Sequence, residues 1–266
     1  MDVIKLSFWD LALASLLILI LAALSHRNAL GVGRDMLVAG LRTAVQLTLV
    51  GLVLKVLFAN AHWWWVTIMA LCMWLIAARE VWARQKYPLQ GFWGIGVGAS
   101  AMFVSSFSLT VLALVVMIQP QPWYMPQYSI PILGMLLGNT MTAVALGLDR
   151  LNSGAVQQKG VIEGRLALGE RWREAICLLR ADSVRVALVP TINAMAAAGV
   201  VSLPGMMTGQ ILSGTAPVEA VKYQILIMFL ITGAAGIGAV TAVAVAARRL
   251  FDDRERLCLN RIRGQR

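Results

Sequence analysis

Apolar runs long enough to cross a lipid bilayer recur seven times along this chain, and no other feature restricts its fold so tightly. A crossing helix needs roughly 20 mostly apolar residues. Runs of about that kind fall at 6–25, 36–59, 63–78, 91–119, 130–148, 187–201 and 221–247, parted by charged or proline-bearing breaks, the run at 187–201 being the shortest. Composition points the same way. Hydrophobic residues make up 59% of the 266 and charged residues 14%, with a mean hydropathy of +0.75, whereas soluble domains average about 45–50% and about 25%. The expectation is an all-α polytopic membrane protein with about seven transmembrane helices and one membrane domain over 1–266.

Lysine and arginine sort the breaks into two sides. Cytoplasmic loops collect these residues, and 19 of the 23 fall in the 26–35, 79–90 and 149–186 segments and the tail 248–266. The alternate segments carry few. This predicts the N-terminus outside and the C-terminus in the cytoplasm. The net charge of +10 is then a feature of membrane sidedness, and no nucleic-acid partner is expected. Lys5 ahead of an apolar run ending at Ser25 imitates a secretion signal, but cleavage there would leave Arg27 and Arg34 on the outer face, so the segment is read as a span. Trp63, Trp64, Trp65, Trp123 and Tyr124 fall at the outer boundaries, where aromatic rings settle at headgroup level.

The one long polar stretch between spans, 149–186, carries seven basic and five acidic residues. Trp172, Ile176 and Leu179 recur at i, i+4 and i+7, the stripe of an amphipathic helix, and a second helix is expected around 161–168. Two uses fit: a helix lying on the bilayer surface, or a docking surface for a protein partner, which the mixed charge favours. Within it, Glu163 and Gly169 match the E-x-x-x-x-x-G frame of the coupling loop in ABC permeases. On that reading Glu163, Gly169, Trp172 and Ile176 are the candidate contacts for an ATPase.

Polar residues inside spans seldom face lipid, so they are candidates for a translocation path. Asn139 and Gln210 each follow a G-M-x-x-G segment, at 134–138 and 205–209. Glycines four apart also suit close helix packing, with the amide bonding across the contact, and both readings stand. The second copy follows Ser202-Leu203-Pro204, where proline and glycine break a helix, consistent with a broken or re-entrant segment. Arg42 and Gln46 lie one turn apart with Thr43 beside them; Arg42 either snorkels to the interface or serves gating or anion binding. Asn193 completes the polar set. Most of the 13 methionines read as apolar filler, but thioethers also suit soft metals, and Met135, Met206 and Met207 lie beside the polar positions. Asp10 and Glu219 are the acidic candidates for an outer cation site, with Glu219 spaced to pair with Lys222.

Other signatures are missing. Cys72, Cys177 and Cys258 lie in no metal or disulfide spacing. No phosphate-loop motif occurs, so any energy for active transport comes from another chain. Scarce mid-membrane carboxylates count against an ion-coupled secondary transporter, and the absence of a paired acid and base counts against an enzyme acting on lipid.

Residues Arg42 to Gln46, the runs 131–139 and 190–195, the run 202–212 and Lys222-Tyr223-Gln224 together resemble the bacterial iron-export ABC permease family, which also includes plant membrane proteins of aluminium tolerance. The resemblance covers nearly the whole chain. It implies a permease that pairs with a separate ATPase, exporting iron or another metal and contributing to resistance to metals and oxidative stress; the expected protein is a multi-pass permease of the bacterial inner membrane, working as a homodimer with a cytosolic ATPase. The plant branch has been linked to a nucleotide sugar, so that substrate remains an alternative. No cofactor and no position-by-position metal-ligand set is implied. In the expected mechanism, ATP-driven closure of the partners moves the 161–180 helices and switches access to a path near Asn139, Asn193 and Gln210.

Overall fold

The computed structural model describes residues 7–59 and 62–264; Lys5, part of the 55–62 turn and the last two residues of the tail lie outside them. The described residues are helical almost throughout and pack as two units. One takes in α1 (Phe8–Arg27), α2 (Gly33–Ala59) and residues 212–215, and the other the remaining helices with the tail.

In the first unit α1 and α2 form a hairpin. Ser7 and Asp10 cap α1 reciprocally: the Trp9 N–H donates to the Ser7 hydroxyl at 3.4 Å, and the Ser7 N–H to the Asp10 carboxylate at 2.8 Å. This satisfies amides that a helix start otherwise leaves bare. Asp10, a candidate for an outer cation site on sequence, is thus a helix cap. The turn between the helices uses Gly31 at φ +74°, and α2 then approaches so closely that a Cβ on Gly33 would stand 2.9 Å from the Ala22 carbonyl oxygen.

The second unit is built on two long helices, α5 (Pro126–Gln157) and α10 (Pro217–Arg249). Around them pack α3 (Trp63–Ala83), α4 (Phe92–Ile118) and α8 (Cys177–Ala197). Buried residues of α5 recur at helical spacing, Leu133, Leu136, Leu137, Thr140, Val144, Gly147, Leu148 and Leu151. The facing stripe of α10 is small: Ala234, Ala235, Gly238, Ala239, Ala242 and Ala246. Large side chains therefore seat on near-bare backbone, the packing that association in lipid relies on, since apolar burial there adds no solvent-driven attraction. A Cβ on Gly238 would run into Thr140, and would lie 3.0 Å from Ser105 Oγ. Beside that contact α4 carries two π-helical stretches, Phe103–Phe107 and Ala113–Ile118, and the Ser106 hydroxyl bonds Thr140 Oγ1 at 3.3 Å in full burial.

Six helices among the described residues are long and apolar enough to cross a membrane: α1, α2, α3, α4, α5 and α10. The sequence reading expected seven. Its run 187–201 falls largely on α8, which begins ten residues earlier and carries Arg180, Asp182 and Arg185 before Pro190. The run is then cut at Ala198, which is extended, and at Gly199, with φ +81°. The Gly199 N–H bonds the Ser202 carbonyl at 2.9 Å, and a separate short helix, α9 (Gly205–Leu212), follows. The expected break at Pro204 and Gly205 is therefore present. The glycine pairs behave otherwise than close packing required: nothing stands within 4 Å of a Cβ on Gly138, Gly205 or Gly209, and Gly134 meets only the flexible tip of Met73.

The basic segment 149–186 is no loop. At 32 residues and 1.5 Å per residue, α5 is about 48 Å long, longer than the roughly 30 Å hydrocarbon layer, so 149–157 simply continue it. Then come α6 (Lys159–Ala167), the single turn α7 (Trp172–Ala175) and the start of α8. Two side-chain contacts brace this end: Arg150 to Asp182 at 2.6 Å, and the buried pair Asn152 to Gln85 at 3.3 Å.

Candidate functional site

The hairpin α6–α7 has a buried base and a bare tip. Ile162, Ala175, Ile176 and Leu179 join the main core with Leu151, Ala155, Ala247, Leu250 and Phe251. The predicted stripe thus faces the ends of α5 and α10, and the helix that was to carry it is interrupted at Ile176, whose backbone leaves helical geometry. At the tip Gly169 turns the chain at φ +91°, a conformation that side chains resist. Arg165 braces the turn, reaching Glu170 at 2.8 Å and the Ala175 carbonyl at 3.3 Å. The braced loop holds out Leu168, 86% exposed.

Of the four residues expected to meet an ATPase, then, Glu163 is exposed and pairs with Lys159 at 3.8 Å, and Gly169 makes the turn. Trp172 and Ile176 lie at the base. The Trp172 ring lies tilted against Phe251, with 5.6 Å between ring centres, and the guanidinium groups of Arg173 and Arg248 stand 5.4 and 5.7 Å from it. The Trp172 backbone N–H donates to the Glu255 carboxylate of the tail at 3.0 Å. The tail in turn pairs with the segment before α4: the Gln90 N–H donates to the Arg261 carbonyl at 2.8 Å, and the Arg263 N–H to the Pro88 carbonyl at 2.8 Å. Sequence reading missed Leu168, although an isolated apolar residue just before a turn glycine in a charged segment is a legible sign.

The expected path residues are distributed over both units. Arg42 and Gln46 are exposed on α2 of the first. In the second, Asn139 is exposed on α5, its amide donating back to the Met135 carbonyl at 2.8 Å; Asn193 is exposed on α8, and Gln210 is half-buried on α9. Met135 and Met206 pack against one apolar cluster with Leu114, Leu136 and Ile227. Met207 instead lines a cavity of about 640 Å³ between α8, α9 and α10, with Met195, Met228, Leu203, Phe229 and Gln224. Gln224 was not singled out as a site, yet it is 8% exposed and its Oε1 has no hydrogen-bond partner. A carboxamide oxygen at the wall of this cavity can accept a hydrogen bond from an occupant. Among the described residues no group of three His, Cys, Asp or Glu is placed to hold a metal ion. Glu219 pairs with Lys222 at 2.7 Å, as its spacing suggested.

Six apolar helices of crossing length among the described residues define a multi-pass helical membrane protein. More narrowly, the chain belongs to the uncharacterised protein family UPF0014, whose profile matches residues 8–251. It is 39% identical to the UPF0014 membrane protein slr1647 of Synechocystis over 239 residues, 88% of this chain and 90% of the relative. It is 34% identical to the probable iron export permease protein FetB of Escherichia coli over 258 residues, 96% of each chain. Protein ALUMINUM SENSITIVE 3 of Arabidopsis thaliana is 30% identical over 231 residues, 87% of this chain and 82% of the relative. These relatives bear out the family that the motifs resemble. No solved structure matches the chain.

Proposed function

We propose that the chain is the membrane permease subunit of an ABC exporter in the bacterial inner membrane, forming a single permease domain that moves iron or another metal ion outward with ATP hydrolysed by a separate cytosolic subunit. The observation that carries this reading is the hairpin: an exposed, braced Leu168 tip on a base buried against the ends of the two longest helices. A push on such a tip is delivered to α5 and α10 rather than lost in a loose loop. Similarity along 96% of each chain to a protein named as a probable iron export permease supports the substrate class.

The reading places the hairpin and tail in the cytoplasm and the N-terminus outside, which requires an odd number of crossings; α8 and α9 together supply the seventh. Asn139 and Asn193 are exposed on this single chain, and polar groups facing lipid are disfavoured, so a second copy covers them and the path runs along Asn139, Asn193, Gln210 and the methionine-lined cavity. Arg42 and Gln46 belong to the same proposal as polar positions of the first unit.

Inside-out vesicles holding the chain and its ATPase, given radiolabelled iron, test it. ATP-dependent accumulation that vanishes without the ATPase is the expected result. Uphill transport by the purified chain alone, accumulation of a nucleotide sugar in place of iron, or hairpin residues that react with an impermeant label from the periplasmic side each overturn the corresponding part.

A further inference from the structure

We propose that the junction of α10 and the tail is a binding site for the headgroup of an anionic phospholipid. A cavity of about 490 Å³ opens there, walled by Arg248, Arg249 and Arg261 and floored by Trp93, Val245 and Phe251. Asp253 also reaches it, pairing with Arg248 at 3.3 Å. Three guanidinium groups against one carboxylate leave the cavity cationic. Arg261 is held in place by donating to the carbonyls of Arg249 and Phe251, at 2.8 and 3.1 Å. The Arg249 guanidinium lies 4.7 Å from the Trp93 ring centre, and no carboxylate among the described residues pairs with it. A cation stacked on an indole and left without a counter-ion is available to an anion.

Position selects a lipid over a free anion. The cavity lies where the apolar α10 meets the basic tail. Val245 is one turn, about 6 Å, inside Arg249. Trp93 and Val245 are half-exposed beside it, and Phe92 is 92% exposed. Indole rings settle at headgroup depth, and basic pockets at the ends of membrane helices collect anionic headgroups. A ligand with a phosphate on the arginines and an acyl chain along Val245 satisfies both halves of the wall. The proposal rests on the membrane-spanning class alone and is independent of the ABC reading.

Native mass spectrometry of the purified full chain, offered phosphatidylglycerol and phosphatidylcholine in equal amounts, tests it. Phosphatidylglycerol is expected to be retained preferentially, and Arg249→Gln to lower the preference about fivefold, while Arg84→Gln, which alters a basic residue outside the cavity, leaves it unchanged. Equal retention of the two lipids by the wild type overturns the proposal without recourse to any variant. So does displacement of the bound lipid by inorganic phosphate at millimolar concentration, which marks a free-anion site, or an Arg84→Gln effect as large as that of Arg249→Gln, which marks diffuse surface charge.

Discussion

The backbone N–H of Trp172 donates to the carboxylate of Glu255, 83 residues further along the chain, at 3.0 Å. Glu255 sits at φ +57°, and a non-glycine residue in this region carries strain of about 1 kcal/mol or more. The tail is thereby a clasp across the base of the hairpin. Glu255→Ala is expected to speed hydrogen exchange of the Trp172 amide about fivefold, the loss of one hydrogen bond of about 1 kcal/mol, with little change at the amides of α3. Unaltered exchange at Trp172 would show that the clasp holds nothing.

The hairpin tip and base should separate in their effects. Leu168→Arg alters an exposed side chain and should leave stability nearly unchanged, within about 0.5 kcal/mol, while abolishing stimulation of the ATPase. Ile176→Ala should do the reverse in kind, lowering stability by about 2–5 kcal/mol through the cavity it leaves. Normal stimulation by Leu168→Arg would remove the tip from the coupling reading.

At the α5–α10 contact, Gly238→Val forces a branched side chain against Thr140 and Ser105. Overpacking of this sort costs about 1–3 kcal/mol. Gly209→Ala, with nothing within 4 Å, should be neutral or slightly stabilising, because alanine is the better helix former. Thermal unfolding in detergent compares the two.

Gln224→Leu removes a buried carboxamide whose Oε1 accepts no hydrogen bond within the protein at nearly constant volume, so stability should change by no more than about 1 kcal/mol. If the methionine-lined cavity belongs to the path, iron transport falls nonetheless. Full transport by this variant would leave Gln224 without a role there.

Acid should loosen the tail. The Arg256 N–H, donated to Asp252 at 2.8 Å, and then the Arg256 side chain and the Arg254 N–H, hold the Asp252 carboxyl below its ordinary value of 3.8. A carboxylate whose folded pKa is depressed stabilises fully above the ordinary value and loses that contribution as pH falls through the lower folded one. Exchange of the Arg254 and Arg256 amides, extrapolated from partly acidified samples and corrected for intrinsic rates, should therefore show protection falling with pH below that value. Asp252→Asn should lack the pH dependence.

Six apolar spans among the described residues and the family were legible in the sequence, because crossing a bilayer demands a length of apolar chain, whatever the packing. Six of the expected runs became apolar crossing helices for that reason. The seventh run is not one apolar helix: it lies across the end of α8, whose start at Cys177 brings Arg180, Asp182 and Arg185 into the same helix, and it is cut at Ala198.

What only the tertiary structure decided is which face each residue turns to. The stripe Trp172, Ile176 and Leu179 was correctly apolar, but periodicity is silent on the neighbour, and the neighbour is the protein's own α5 and α10. The glycine pairs looked like packing faces, yet close approach occurs at Gly238, whose partner Thr140 is 98 residues away. The tail that clasps Trp172 and the arginines that gather at Trp93 are likewise set by contacts between distant segments. A sequence states how far each stretch can reach and what surroundings it tolerates, but partner choice follows from shape and charge matched across the assembled bundle, and those exist only when the chain is folded.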